Sequence, residues 1–135
     1  MPTRTKKTSP ASYSVLVVDD EQTIRQILVR IVRRDGYAVQ EAVNGKDALE
    51  KMSTSRFDLV ITDVKMPEIG GLELLAKIKS NYPDTKVVIV TSHVGDMTAA
   101  EVISAGADQF IEKPFKNFEI SRTLADLMSI SRKVR

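Results

Sequence analysis

The chain has 135 residues, a net charge of +2 and no cysteine. That is enough for one domain with its own core, and it excludes a disulfide framework and thiol chemistry. No apolar stretch approaches the roughly 20 residues of a membrane span, and the N-terminus lacks the apolar core of a secretory signal, so a soluble protein of the cytoplasm is expected.

Met1 to Ser14 holds Thr, Ser, Pro and Lys with almost nothing apolar, and reads as a flexible arm over residues 1–13. Its Arg4, Lys6 and Lys7, like Arg132, Lys133 and Arg135 at the other end, read as solvated charges without a function. Val15-Leu16-Val17-Val18 forms a first strand that runs into Asp19-Asp20. Ile24, Ile27, Leu28, Ile31 and Val32 recur at helical spacing, Arg25, Arg30, Arg33 and Arg34 read as a solvated face, and Gly36 ends this helix. Ala38 to Ala42 is a second strand, more polar than the others and therefore placed at the sheet edge. Asn44-Gly45 reads as a turn, and Ala48, Leu49 and Met52 mark a short helix that ends before Phe57.

Leu59-Val60-Ile61-Thr62 is a short apolar run of the kind buried on both faces of a parallel sheet, and it surfaces at Asp63. Leu72, Leu74, Leu75 and Ile78 make a third helix closed by Asn81 and Pro83. Val87-Val88-Ile89-Val90 leads into Thr91-Ser92, and Met97 to Ala105 is a weakly periodic fourth helix ended by Gly106. Phe110-Ile111-Glu112 leads into Lys113-Pro114, and Ile120, Leu124, Leu127 and Met128 line a last helix reaching about Ser131. Strand and helix thus alternate five times, with no repeat or linker.

Right-handed crossovers allow the flavodoxin-like (βα)5 fold, a single-domain α/β, doubly wound parallel sheet of strand order 2-1-3-4-5. In open sheets of this kind the site lies beyond the carboxyl ends of the strands, which would bring Asp19, Asp20, Asp63, Thr91 and Lys113 together. Singly, each has a plain reading: Asp19-Asp20 as a helix N-cap, Asp63 as a turn residue, Thr91 as a strand end. Together, three carboxylates raise one another's pKa unless compensated, and one ammonium plus one divalent cation would balance them. An all-oxygen site points to Mg²⁺, with Mn²⁺ as a substitute. A metal, a hydroxyl and an ammonium facing a carboxylate also suit a phosphoryl group, with Asp63 as nucleophile.

Val17-Val18-Asp19-Asp20, Asp63-Val64-Lys65-Met66-Pro67, Val90-Thr91-Ser92 and Lys113-Pro114-Phe115 resemble, in this order, the receiver domain of two-component response regulators. The resemblance covers roughly Ser14 to Arg132, leaving residues 133–135 as a tail. It implies a phosphorylation-driven signalling switch, not an enzyme acting on other substrates. Asp63 would accept a phosphoryl group from a histidine kinase or phosphotransfer protein, and Asp20, Asp63 and the backbone carbonyl of Lys65 would bind Mg²⁺, with Asp19 assisting through water. Lys113 would pair with the phosphoryl group, Thr91 would swing its hydroxyl onto it, and Phe110 would be the aromatic switch residue that turns inward in response. Lys113-Pro114 would be a cis peptide bond. The resemblance further implies a downstream protein target, a homodimer through helix four, strand five and helix five, no membrane association, and contact with nucleic acid only through a separate output domain. The chain would be a stand-alone receiver or the receiver part of a longer regulator.

There are departures from the family pattern. Gly70 stands where Asp is usual, so the third helix should lack a side-chain N-cap. Phe110 replaces a common Tyr and has no hydroxyl to offer a partner. Lys65 and His93 occupy the two positions that tune the lifetime of the phosphoryl group; His93, the sole histidine, otherwise reads as a plain surface residue. Two other functions compete. A small Mg-dependent aspartyl phosphohydrolase is opposed by Lys65, which removes an Asp-x-Asp, and by the lack of an inserted cap. A flavodoxin-like cofactor binder is opposed by the acidic residues and the missing Gly-rich loop after strand one.

Overall fold

The computed structural model describes residues 13–66, 68–91 and 99–133. The expected arm, up to residue 12, and His93 lie outside the described residues, as do Pro67 and the last two residues of the tail. The elements are β1 (Ser14–Val18), α1 (Gln22–Arg34), β2 (Ala38–Ala42), α2 (Gly45–Thr54), β3 (Leu59–Thr62), α3 (Gly71–Asn81), β4 (Lys86–Thr91), α4 (Ala99–Ser104), β5 (Gln109–Glu112) and α5 (Asn117–Lys133). They form the expected five-stranded sheet of order β2-β1-β3-β4-β5, parallel throughout.

Strand side chains alternate between faces, and here both faces are covered, which is why the central strands are apolar without interruption. Val15, Val17, Leu59, Ile61, Val88 and Val90 pack on one side with Leu28, Val29 and Val32 of α1 and Ile120, Leu124 and Met128 of α5. Leu16, Val18, Val60, Val87 and Ile89 pack on the other with Ala48 and Met52 of α2, Leu74, Leu75 and Ile78 of α3, and Val102 of α4. β2 alternates exposed and half-buried residues, as its polar sequence and edge position require.

Helix ends follow local chemistry. Gly36 and Gly106 adopt φ of 97° and 116° after α1 and α4, a conformation that costs glycine little and other residues more. Asn44 corrects the turn expected at Asn44-Gly45: its side chain accepts the Asp47 backbone N–H at 2.8 Å, while Asp47 Oδ2 accepts the Val43 N–H at 3.0 Å, so the pair starts α2 as a reciprocal cap. Gly70 caps α3 with no side-chain hydrogen bond, as expected.

The start of α3 is pressed onto β3. A Cβ on Gly71 would sit 2.1 Å from the Asp63 carbonyl oxygen and 2.7 Å from Val64 Cα, and the Gly71 N–H donates to the Val64 carbonyl at 2.8 Å. No flexible side chain can yield there, so one methyl group must move the backbone that carries Asp63. Gly71→Ala is expected to destabilise the fold by about 3 kcal/mol, read as a lower urea midpoint at unchanged slope; an unchanged midpoint would contradict the packing described.

Candidate functional site

Sheet register builds the site. β1 and β3 are aligned Val18↔Thr62, so the next residues, Asp19 and Asp63, leave the sheet side by side. The Asp63 N–H donates to the Val18 carbonyl at 3.4 Å, and the Asp19 N–H to the Ala42 carbonyl at 3.2 Å, extending the ladder one residue beyond each strand. Asp19 and Asp63 are buried and Asp20 is exposed, and one carboxylate oxygen from each of the three lies within 4.8 Å of the others.

Lys113 follows β5 and is anchored by its N–H to the Thr91 carbonyl at 2.8 Å. Its Nζ reaches Asp63 Oδ2 at 3.1 Å, Asp19 Oδ2 at 3.4 Å and Glu21 Oε1 at 4.0 Å. The other oxygens are held by backbone: Asp63 Oδ1 accepts the Val64 N–H at 2.6 Å and the Lys65 N–H at 3.4 Å, and Asp19 Oδ1 accepts the Glu21 N–H at 2.9 Å. Four of the expected residues, Asp19, Asp20, Asp63 and Lys113, are thus brought together.

Thr91 is buried at the last position of β4, beside Glu112 in register. Phe110 lies further back on β5, half-buried against the core on the α2–α4 side. Lys65 is exposed and reaches the site through its backbone N–H. The bond between Lys113 and Pro114 is cis.

One sequence reading is corrected, and one plain alternative is set aside. The N-cap of α1 is Glu21, without a side-chain cap bond, and Asp19 faces Lys113 instead of capping the helix. Arg25 does not belong to a solvated face. It is buried, donates from Nη1 to the Asp19 carbonyl at 2.9 Å and from Nε to Glu41 Oε1 at 2.8 Å. The signal was in the spacing: Arg25, Leu28, Val29 and Val32 fall on one helical stripe, which Arg25 shares with three core residues.

Burial raises the Asp19 carboxyl above the ordinary carboxylate range; the Glu21 N–H and the Lys113 charge oppose this, and the Asp63 charge adds to it. Burial alone would lower the Lys113 ammonium, but attraction by Asp19 and Asp63 outweighs it and leaves the pKa raised. The pocket therefore holds more acid than its one close ammonium compensates. Hard carboxylate oxygens converging with spare negative charge fit a divalent cation of the Mg²⁺ type.

The model of the response regulator receiver domain matches residues 15–125. The transcriptional regulatory protein ZraR of Klebsiella oxytoca is 37% identical over 92% of this chain, which covers 28% of ZraR. The chemotaxis protein CheY of Thermotoga maritima is 35% identical, over 82% of this chain and 92% of CheY. Among solved structures, response regulator protein TrrA of Thermotoga maritima, in complex with Mg²⁺-BeF, is 34% identical with a TM-score of 0.77 over 85% of this chain and 98% of TrrA. The chain spans less than half of the length of several regulators it matches, 28%, 49% and 23% for three of them.

Because the folded-state pKa of Asp19 is raised above its ordinary 3.8, its favourable contribution to stability is fully present below that value and is lost as pH rises through the folded pKa. At neutral pH the ionised Asp19 thus opposes folding. In metal-free buffer Asp19→Asn is expected to raise the melting temperature at neutral pH, with the gap narrowing as the pH approaches the ordinary carboxylate range. A lower melting temperature for the variant at neutral pH would contradict this.

Proposed function

The chain belongs to the response regulator receiver domain family, and from that premise we propose that it is a signalling switch in which Asp63 accepts a phosphoryl group from a histidine kinase or a phosphotransfer protein. The observation that carries this reading is the Asp63 carboxylate, buried at the end of β3 with one oxygen 3.1 Å from Lys113 Nζ inside a cluster of carboxylates. An Asp63 oxygen attacks the phosphorus of phosphohistidine, the P–N bond breaks, and its electron pair leaves with the imidazole. The product is an acyl phosphate on Asp63 and a free histidine on the donor. Lys113 offsets the added negative charge, and the Val64 and Lys65 N–H groups keep the carboxylate oriented.

Asp20, Asp63 and the Lys65 carbonyl would hold Mg²⁺, or Mn²⁺ as a substitute, with Asp19 acting through water. Bound there, the ion would neutralise carboxylate and phosphoryl oxygens that otherwise repel. The complex of TrrA with Mg²⁺-BeF supports this reading, since beryllofluoride has the charge and shape of a phosphoryl group. The chain assists only its own phosphorylation and dephosphorylation. Its output is a change of protein partner, through Thr91 and Phe110 and the α4, β5 and α5 face, which also serves for a homodimer. Lys65 and His93 set the lifetime of the acyl phosphate. The setting is the cytoplasm; among the described residues no helix is long and apolar enough to cross a membrane.

Acetyl phosphate, or beryllofluoride with Mg²⁺, is expected to shift the amide resonances around Thr91 and Phe110, and Asp63→Asn to abolish the shift. An unresponsive parent chain would sink the switch, and multiple turnover of a phosphate ester would favour the phosphohydrolase instead.

A further inference from the structure

Asp19 and Asp20 sit in the short connection between β1 and α1, so the position of their carboxylates depends on what holds that backbone. Asp19 Oδ1 turns back onto the Glu21 N–H, and its N–H is tied to the Ala42 carbonyl of β2. The remaining backbone group, the Asp19 carbonyl, is buried and accepts from Arg25 Nη1 at 2.9 Å. The same guanidinium donates from Nε to Glu41 Oε1 at 2.8 Å, and Glu41 also accepts from Gln26 Nε2 at 2.9 Å. Lys51 Nζ of α2 bonds the Glu41 carbonyl at 2.6 Å, so the strand that carries Glu41 is itself tied down.

We infer that Arg25 is a positioning residue for the acidic pocket: its guanidinium fixes the Asp19 backbone against β2 and so places the Asp19 and Asp20 carboxylates for a divalent cation. This rests on the reading of the pocket given above. A planar guanidinium is required because two acceptors on different elements must be met at once by donors at fixed separation, which a single ammonium does not provide. The Glu41 carboxylate neutralises Arg25, so the brace adds no net positive charge to compete with the cation. Arg25 touches the backbone of Asp19 and not its carboxylate, whereas Lys113 faces the carboxylate; the two cations divide orientation from charge compensation.

The test compares Mg²⁺ dissociation constants by calorimetric titration, and melting temperatures without metal, for the parent chain, Arg25→Met, Arg25→Lys and Lys79→Met. Lys79 supplies a control of similar kind at the opposite end of the sheet, where its Nζ bonds the Thr85 carbonyl and Asp108 Oδ2, both at 2.9 Å. Outer-shell partners of metal ligands typically contribute about 10–100-fold in affinity. Arg25→Met, which keeps the buried stem, is expected to weaken Mg²⁺ binding about tenfold. Lys79→Met is expected to lower the melting temperature while leaving the dissociation constant within about twofold of the parent. Arg25→Lys is expected to recover only part of the loss, and if Arg25→Met does not fold, Arg25→Lys is compared with the parent directly. An affinity unchanged from the parent, or a loss equal to that of Lys79→Met, would overturn the inference. A parent chain that takes up no Mg²⁺ would sink the reading of the pocket itself, and the inference with it.

Discussion

The constraint on which the structure turns is the confinement of like charge. Asp19 and Asp63 are buried beside each other with Asp20 at the rim, and Lys113 Nζ lies within 3.4 Å of both buried carboxylates. The two buried carboxylates share this one ammonium, and burial raises the Asp19 pKa, with the Asp63 charge adding to the rise and Lys113 opposing it. A fold selected for stability alone would replace one of these acids by a neutral residue. The arrangement makes sense where the cavity is completed by a further cation and by an anion that the cation and Lys113 can hold together.

Everything around the cavity serves to keep that charge from relaxing. The aligned ends of β1 and β3 set the spacing of Asp19 and Asp63, and the two strands are buried on both faces, so neither can shift without exposing core. The Asp63 backbone is backed by Gly71, and Gly45 at the start of α2 lies so close to Ile69 that a Cβ there would sit 2.8 Å from the Ile69 carbonyl oxygen. Glycine at both contacts lets two helix starts close onto the connection after β3, where Glu68 adopts a left-handed φ of 64°. Electrostatic repulsion is thus opposed by steric fit.

What could be read from the sequence, and what could not, divides along physical lines. The apolar runs Val15–Val18, Leu59–Ile61 and Val87–Val90 declared the central strands because burial on both faces leaves no room for polar residues. The carboxylates were legible because each ends such a run, and a site at the strand ends follows from topology. Arg25 was misread because four arginines on one helix look alike in composition, and only placement on the Leu28–Val32 stripe separates the buried one from the exposed Arg30, Arg33 and Arg34. Asn44 is ambiguous for a related reason: Asn-Gly serves a turn and a helix start equally well, and only the reciprocal bonding with Asp47 three residues on separates the two.

The register of β4 and β5 adds a step that no single residue reveals. Parallel partners point to the same face, so Phe110, paired with Ile89, shares the α2–α4 side with Val87 and Ile89, and Thr91 falls on that side by the same alternation. Thr91 is buried at the last position of β4, and Phe110 lies two residues back along the neighbouring strand, half-buried. The side chains of two adjacent strands, Thr91 at the end of β4 and Phe110 on β5, thus share one face of the sheet at its β5 edge.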